Sequence, residues 1–276
     1  MKNNSKLLII VLLLAPVMLF SQKKFNPEIK LSKGQSLTYL VTAQIDMVQN
    51  MMGQEMKINI STSGKTIITV DESQKGKYLL SQISRDNVIE MKMDVMDTVM
   101  QVPEMNNLPS YIIDKFGKIL SRKNPENSPQ AAGGADFSSM SSSSPFVEFP
   151  GKKLTTGDTW ETNRTDTMPF MGGSLQNKIK MTYTLIGKET KDEVECLKLT
   201  YKGSIQNEGA TTMQGMDFYI EGTGAMEGTC WLDISTGITL VDEGLMENEM
   251  TLALTGQQNF TIPMTYKTTI TRKKTE

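Results

Sequence analysis

The stretch Tyr39-Leu-Val-Thr-Ala-Gln-Ile-Asp-Met47, read on through Gly53 to Thr62, decides the fold. Tyr39, Val41, Ala43, Ile45 and Met47 alternate with Leu40, Thr42, Gln44 and Asp46. A period of two puts the first set on one face of an extended strand and the second set on the other. Gly53-Gln54 suits a two-residue hairpin turn with glycine in the first position. That turn sets Met51 against Met56, Met47 against Ile60 and Ile45 against Thr62. All six then share a face, so pattern and turn agree.

The alternation recurs along the chain. Lys65–Val70, Lys77–Ser84 and Val88–Met96 read as strands, and in the last Ile89, Met91, Met93 and Val95 alternate with Glu90, Lys92 and Asp94. Lys178–Ile186, Val194–Ile205, Met216–Gly222, Ala225–Ile234, Ile238–Leu254 and Asn259–Arg272 continue the series. The longest exceed the usual five or six residues, which suits a large curved sheet. The expected fold class is all-β: large antiparallel sheets, as an open barrel or as two similar β halves, with little helix. Asp97–Leu108 holds a proline and two asparagines and is read as a short helix or a loop.

Two short motifs occur twice. Leu31-Ser-Lys-Gly34 before Leu37 resembles Leu154-Thr-Thr-Gly157 before Trp160. Tyr111-Ile-Ile-Asp114-Lys-Phe-Gly117-Lys-Ile119 resembles Cys230-Trp-Leu-Asp233-Ile-Ser-Thr-Gly237-Ile238. Asp suits the start of a turn and Gly supplies positive φ at its end. Such turns are common in β proteins, so duplication and coincidence both remain open.

The chain start is laid out for export. Lys2 and Lys6 precede an apolar run from Leu7 to Phe20, and Ser21 offers a small residue for cleavage. This is the pattern of a signal peptide, and the run is too short to span a bilayer. The expected organisation is a signal peptide at 1–21, an N-terminal β half at 22–121, a flexible linker at 122–145 and a C-terminal β half at 146–276. The linker reading rests on Asn-Pro, Ser-Pro, Gly133-Gly134 and the serine run from Ser138 to Ser144. The mature chain carries no transmembrane segment in this reading, and its location is the periplasm or the cell exterior.

Composition removes several chemistries. Without residues 1–21 the chain has 27 basic and 31 acidic side chains, a net charge of −4. That balance gives no reason to expect nucleic acid, which calls for a concentrated basic surface. Histidine is absent, which removes Ser/His/Asp and Cys/His nucleophile sets and His-based metal sites. Parity puts Cys196 opposite the apolar face of its strand and Cys230 on the apolar face of its own, so two buried free thiols are favoured over a disulfide. The carboxylate pairs Asp94/Asp97, Glu193/Glu195, Asp242/Glu243 and Glu247/Glu249 are too close in sequence to face each other across a cleft. No catalytic residue, metal ligand or cofactor is expected, and the protein is read as non-enzymatic.

Methionine is over-represented, at 21 residues. Met47, Met51, Met52 and Met56 form one group and Met91, Met93, Met96, Met100 and Met105 another. Core filling, an adaptable apolar ligand surface and copper(I) binding all use thioethers. The absence of His weighs against copper.

Phe20-Ser21-Gln22, Leu31-Ser-Lys-Gly34-Gln35 and Phe149-Pro150-Gly-Lys-Lys-Leu154-Thr-Thr-Gly157-Asp158-Thr-Trp160 together resemble an uncharacterised family of exported proteins from Bacteroidota. The resemblance implies no activity and carries over no site. The long strands also look broadly like open β-barrel carriers of lipids and lipoproteins in the bacterial envelope. The expected function is a binding or scaffolding protein of the envelope. An apolar, lipid-like ligand would lie on a sheet face made by Met47, Met51, Met56, Ile60, Met91 and Met93. The alternative is a structural or interaction protein with a solid core, whose partner is an envelope protein.

Overall fold

The computed structural model describes residues 24–275 except 52, 94–95, 107, 124–145, 171–172, 214–215 and 255–259. The expected signal peptide and nearly all of the expected linker lie outside the described residues. Twelve strands are described: β1 (Ser36–Met51), β2 (Gln54–Gln74), β3 (Lys77–Met93), β4 (Met96–Val102), β5 (Ser110–Asp114), β6 (Ile119–Lys123), β7 (Thr159–Phe170), β8 (Gly173–Lys191), β9 (Val194–Met213), β10 (Met216–Asp233), β11 (Thr239–Leu254) and β12 (Phe260–Lys274). They form one antiparallel sheet in the order β6-β5-β3-β2-β1-β12-β11-β10-β9-β8-β7, with β4 paired to β3 beside β5. The path ends at β6 and β7 and does not close into a barrel. The all-β reading holds. Among the described residues no helix is long and apolar enough to cross a membrane.

The first hairpin forms, with a different register. Met51 pairs with Gln54, Met47 with Ile58 and Ile45 with Ile60, so the turn is at positions 52 and 53. Gly53 takes the second turn position at φ 82°, and its amide donates to Asn50 Oδ1 at 3.2 Å. Moving the turn by one residue moves the pairing by two, which keeps every side chain on its expected face. Asp97–Leu108 is corrected: its first part is β4, paired in register with β3 from Asn87 to Met93. Alternation of Asp97, Thr98, Val99 and Met100 between exposed and half-buried decides this.

Several expected strands fuse into longer ones, and in β3 a bulge shifts the pattern without ending the ladder. In β3 the buried positions are even from Tyr78 to Ser84 and become odd at Ile89. The register shift opposite Ser63–Lys65 and positive φ at Asp86 absorb the extra residue. β10 runs unbroken through Gly222 and Gly224 with no register shift at either glycine.

The two repeated motifs make matching hydrogen bonds. Gly34 N donates to Val70 O and Gly157 N to Leu185 O, both at 2.8 Å. Val70 N returns to Gln35 O and Leu185 N to Asp158 O, both at 2.9 Å. A bulge follows Val70 in β2 and Leu185 in β8, and further bulges precede Ile113 in β5 and Leu232 in β10. The strand orders β1-β2-β3-β5-β6 and β7-β8-β9-β10-β11 correspond, with β12 joining β1 to β11.

One core unites strands from both ends of the sheet. Ile68, Leu80, Tyr111 and Ile113 share it with Trp160, Leu185, Leu199 and Leu232. A single sheet can do this only by curving onto its own inner face. Inner-face glycines permit the bend. A Cβ added at Gly203, Gly209 or Gly228 would fall 2.6, 2.3 or 2.4 Å from a carbonyl oxygen of the adjacent strand. Two extended segments complete the base. Phe25 and Leu154 exchange backbone hydrogen bonds at 2.7 and 2.8 Å. Ile29 N donates to Lys115 O in the β5–β6 turn, and Lys30 N to Thr236 O in the β10–β11 turn.

Gly228→Ala tests the curvature. Its Cβ would meet both Glu243 O and the Tyr201 ring at 2.4 Å. Urea denaturation should show a loss of ~1–3 kcal/mol, typical of overpacking. Thr223→Ala, on the outer face, should stay within ~0.5 kcal/mol of wild type.

Candidate apolar binding face

Away from the base, the inner face of the first strands is apolar. Ile45, Ile58, Ile60 and Ile89 are buried together, with half-buried Met47, Met56, Met91, Met93, Met100 and Val102 against them. Register builds this wall: Met47 sits opposite Ile58, which sits opposite Met93, and Ile60 sits opposite Met91. Five of the six expected ligand-face residues, Met47, Met56, Ile60, Met91 and Met93, therefore lie in one cluster. Met51 lies on the same strand opposite Gln54, and its side chain is outside the described residues. Met100 and Val102 are additions from β4, which sequence reading had not assigned to a strand.

A second apolar wall comes from the later strands. Leu175, Phe218, Ile220, Met250, Leu252 and Ile262 form it, with Leu254, Phe260 and Met264 alongside. Tyr266 packs against both walls. Its hydroxyl donates to Met250 Sδ at 3.2 Å and accepts from the Asn248 amide. Asn248 leans over Gly224, where a Cβ would lie 2.0 Å from Asn248 Oδ1.

Nearer the base lies a buried polar cluster. Tyr201 reaches across Gly228 and Gly244 to donate to Asp242 Oδ1 at 3.0 Å. Arg272 Nη1, on a side chain 8% exposed, stands 3.6 Å from Asp242 Oδ2. Trp160 stacks on Tyr183 at 5.4 Å between ring centroids, and Tyr183 meets Tyr201 at 6.0 Å. Burial pushes the Asp242 carboxyl up, against the pull of Arg272 and the Tyr201 hydrogen bond. Burial, then the Asp242 charge, push the Tyr201 hydroxyl and the Cys230 thiol up as well. These shifts favour the protonated forms of the Tyr201 hydroxyl and the Cys230 thiol. Glu243, next in sequence, is on the opposite face near Lys191.

The cysteines are free and buried on opposite faces, Cys230 in the inner core and Cys196 in a small outer cluster with Trp231 and Val241. Trp160 joins the inner core; Trp231 covers the outer face, with Lys191 Nζ 4.1 Å from its ring centroid. Asp114 and Asp233 are turn residues: each Oδ1 accepts backbone amides of its own turn. Among the described residues, no group of three His, Cys, Asp or Glu side chains is placed to hold a metal ion. A groove of about 550 Å³ crosses β9 to β12 on the outer face, between Gln206, Thr223, Glu249 and Thr265 on one side and Glu208, Glu221, Thr251 and Pro263 on the other. It lies on the polar side of the sheet, behind the apolar walls.

A family of unknown function, DUF6263, matches residues 41–239. The chain belongs to this family. The DUF6263 match runs from the first strand to the start of β11, and so takes in most of both repeated units. No curated protein matches the chain. Among solved structures, an outer membrane channel from Pseudomonas putida F1 is 5% identical over 88% of this DUF6263 chain and 97% of the channel, with a TM-score of 0.25. OpdK from Pseudomonas aeruginosa, solved with vanillate, is 6% identical over 87% and 99%, with a TM-score of 0.21. Scores this low carry nothing from either channel to this protein.

The Asp242 cluster sets a pH dependence. A carboxyl whose folded pKa lies above its ordinary 3.8 binds its proton more tightly folded than unfolded. Stability from that proton is present in acid and is lost as pH rises from 3.8 through the raised value. The stability of wild type minus that of Asp242→Asn, from urea titrations across this window, should fall with rising pH. A flat or rising difference would contradict the assignment.

Proposed function

We propose that this protein is a non-enzymatic binding protein of the bacterial envelope, exported in a member of the Bacteroidota, that holds an apolar, lipid-like ligand against its methionine-rich inner face. The observation that carries the reading is the wall of half-buried Met47, Met56, Met91, Met93 and Met100 on the concave side of an unclosed sheet. Methionine thioethers are flexible and adapt to varied apolar partners. Covering ~200 Å² of apolar surface would contribute ~5 kcal/mol before the costs of association. The base is packed with aromatic and aliphatic side chains, so the ligand lies toward the far ends of the strands. Localisation in the periplasm or outside the cell, after cleavage at Ser21, belongs to the same proposal and follows from the amino-terminal pattern. Neither a cofactor nor nucleic acid is part of it.

Gentle purification followed by native mass spectrometry should reveal co-purifying lipid. The delipidated protein should bind N-phenyl-1-naphthylamine with a saturable fluorescence rise. Met91→Asp should weaken that binding at least tenfold, and Glu227→Ala, on the outer face, should leave it unchanged. Neither lipid nor saturable probe binding would end the proposal.

A further inference from the structure

Inside the curved sheet, polar residues interrupt the apolar walls in one strip. Asp166 on β7 faces Asn177 on β8, which faces Asn207 on β9. Gly222 and Gly224 follow on β10, opposite Asn207 and Asn248, and Asn248 faces Tyr266 on β12. Asn207 and Asn248 are only 5% and 3% exposed. Their Oδ1 atoms have no hydrogen-bond partner, although buried polar groups normally do. Their partners on the amide side converge on the Tyr266 hydroxyl. That hydroxyl spends its proton on Met250 Sδ, so it offers nothing to either oxygen. Gly224 leaves room above the backbone for Asn248, and Gly222 leaves it for Met250 alongside. Tyr266 then joins the strip to the Met47 side of the apolar wall, which it faces directly.

We propose that this asparagine strip is the head-group subsite of the ligand, and that the ligand is a single-chain lipid with an uncharged, hydroxyl-bearing head. The inference rests on the binding reading above and adds the chemistry of the polar end. Two buried amide oxygens need donors, and a diol or polyol head supplies them. A carboxylate head has no proton to give and would meet two carbonyl oxygens. The arginine nearest the strip in register, Arg164, already holds Asp166 at 2.6 Å. An ammonium head would be buried against neutral amides without a free counter-charge, at a high desolvation cost. The tail extends from Tyr266 over Met47 and Ile58 toward Met93, a path set by the register.

The test uses the full mature protein, stripped of lipid, at neutral pH. Displacement of bound N-phenyl-1-naphthylamine is measured with monooleoylglycerol, oleate and oleylamine, which share one tail. Monooleoylglycerol should bind about tenfold more tightly than the other two. Asn248→Leu should cut that preference about fivefold, in line with one lost hydrogen bond, with each displacement read against that variant's own probe affinity. Asn207→Leu, with its folding checked by circular dichroism, gives the same comparison from the neighbouring strand. Equal affinity for all three lipids, or preference for oleate or oleylamine, overturns the head-group inference and leaves the apolar face standing. An undiminished preference in both variants overturns it too. Absence of probe binding to wild type removes the binding reading itself, and the subsite with it.

Discussion

The fold depends on a few backbone hydrogen bonds at the base of the sheet. Residues 25–31 donate to the β5–β6 turn through Ile29 and to the β10–β11 turn through Lys30, and Phe25 pairs with Leu154 just before β7. These contacts hold two distant ends of one sheet around a common core. Gly117 and Gly237 make the passage possible. Both adopt positive φ, and a Cβ at either would lie 2.2 Å from Val147 O or 2.6 Å from Glu28 O. This tie, with Phe146, Val147 and Phe149 beside it, covers the large apolar surface of Tyr111, Ile113, Trp160 and Leu185. Tyr78 strengthens the tie from inside, with its hydroxyl donating to Ile29 O at 2.9 Å.

Curvature and closure together divide the interior by height. At the base, aromatic and branched side chains from eight strands meet and exclude water. Above them stands the Tyr201–Asp242–Arg272 group, a buried charge pair whose desolvation is only partly offset by attraction. Farther out lie the two apolar clusters, bridged by Tyr266, and the asparagine strip. Burial is most complete where the chain ties itself shut, and the methionines of the first strands are only half-buried. This gradient is the physical basis for placing a ligand at the far end.

Much of this was legible in the sequence, for reasons that differ from element to element. Alternation from Tyr39 to Met47 and from Ile89 to Met93 survives any even error in register, so face membership was readable even though the turn was misplaced. The Asp–Gly motifs were readable because their side chains cap their own turns. The Gly34 and Gly157 motifs proved to share a hydrogen-bond pattern that turn statistics alone could not separate from coincidence. β3 reads as two fragments because the extra residue near Asp86 reverses its parity in mid-strand. β4 was misread because Pro103 and two asparagines suggested a loop, while its order comes from pairing with β3, a contact invisible locally. The asparagine strip was missed entirely. Asn177, Asn207 and Asn248 are far apart in sequence, and each looks like an ordinary polar residue; only inward parity beside Leu175, Ile205 and Met250 could have marked them.

Amide hydrogen exchange, followed residue by residue, tests the central claim that the base is closed and the far end open. Amides of Phe25, Ile29, Lys30 and Leu154 should exchange as slowly as those of β1 beside Tyr39. Amides of β4 and of β3 from Ile89 to Met93 should exchange much faster, and should slow when an apolar ligand is added. Uniform protection along the strands, with no response to ligand, would mean a solid core and would contradict the account.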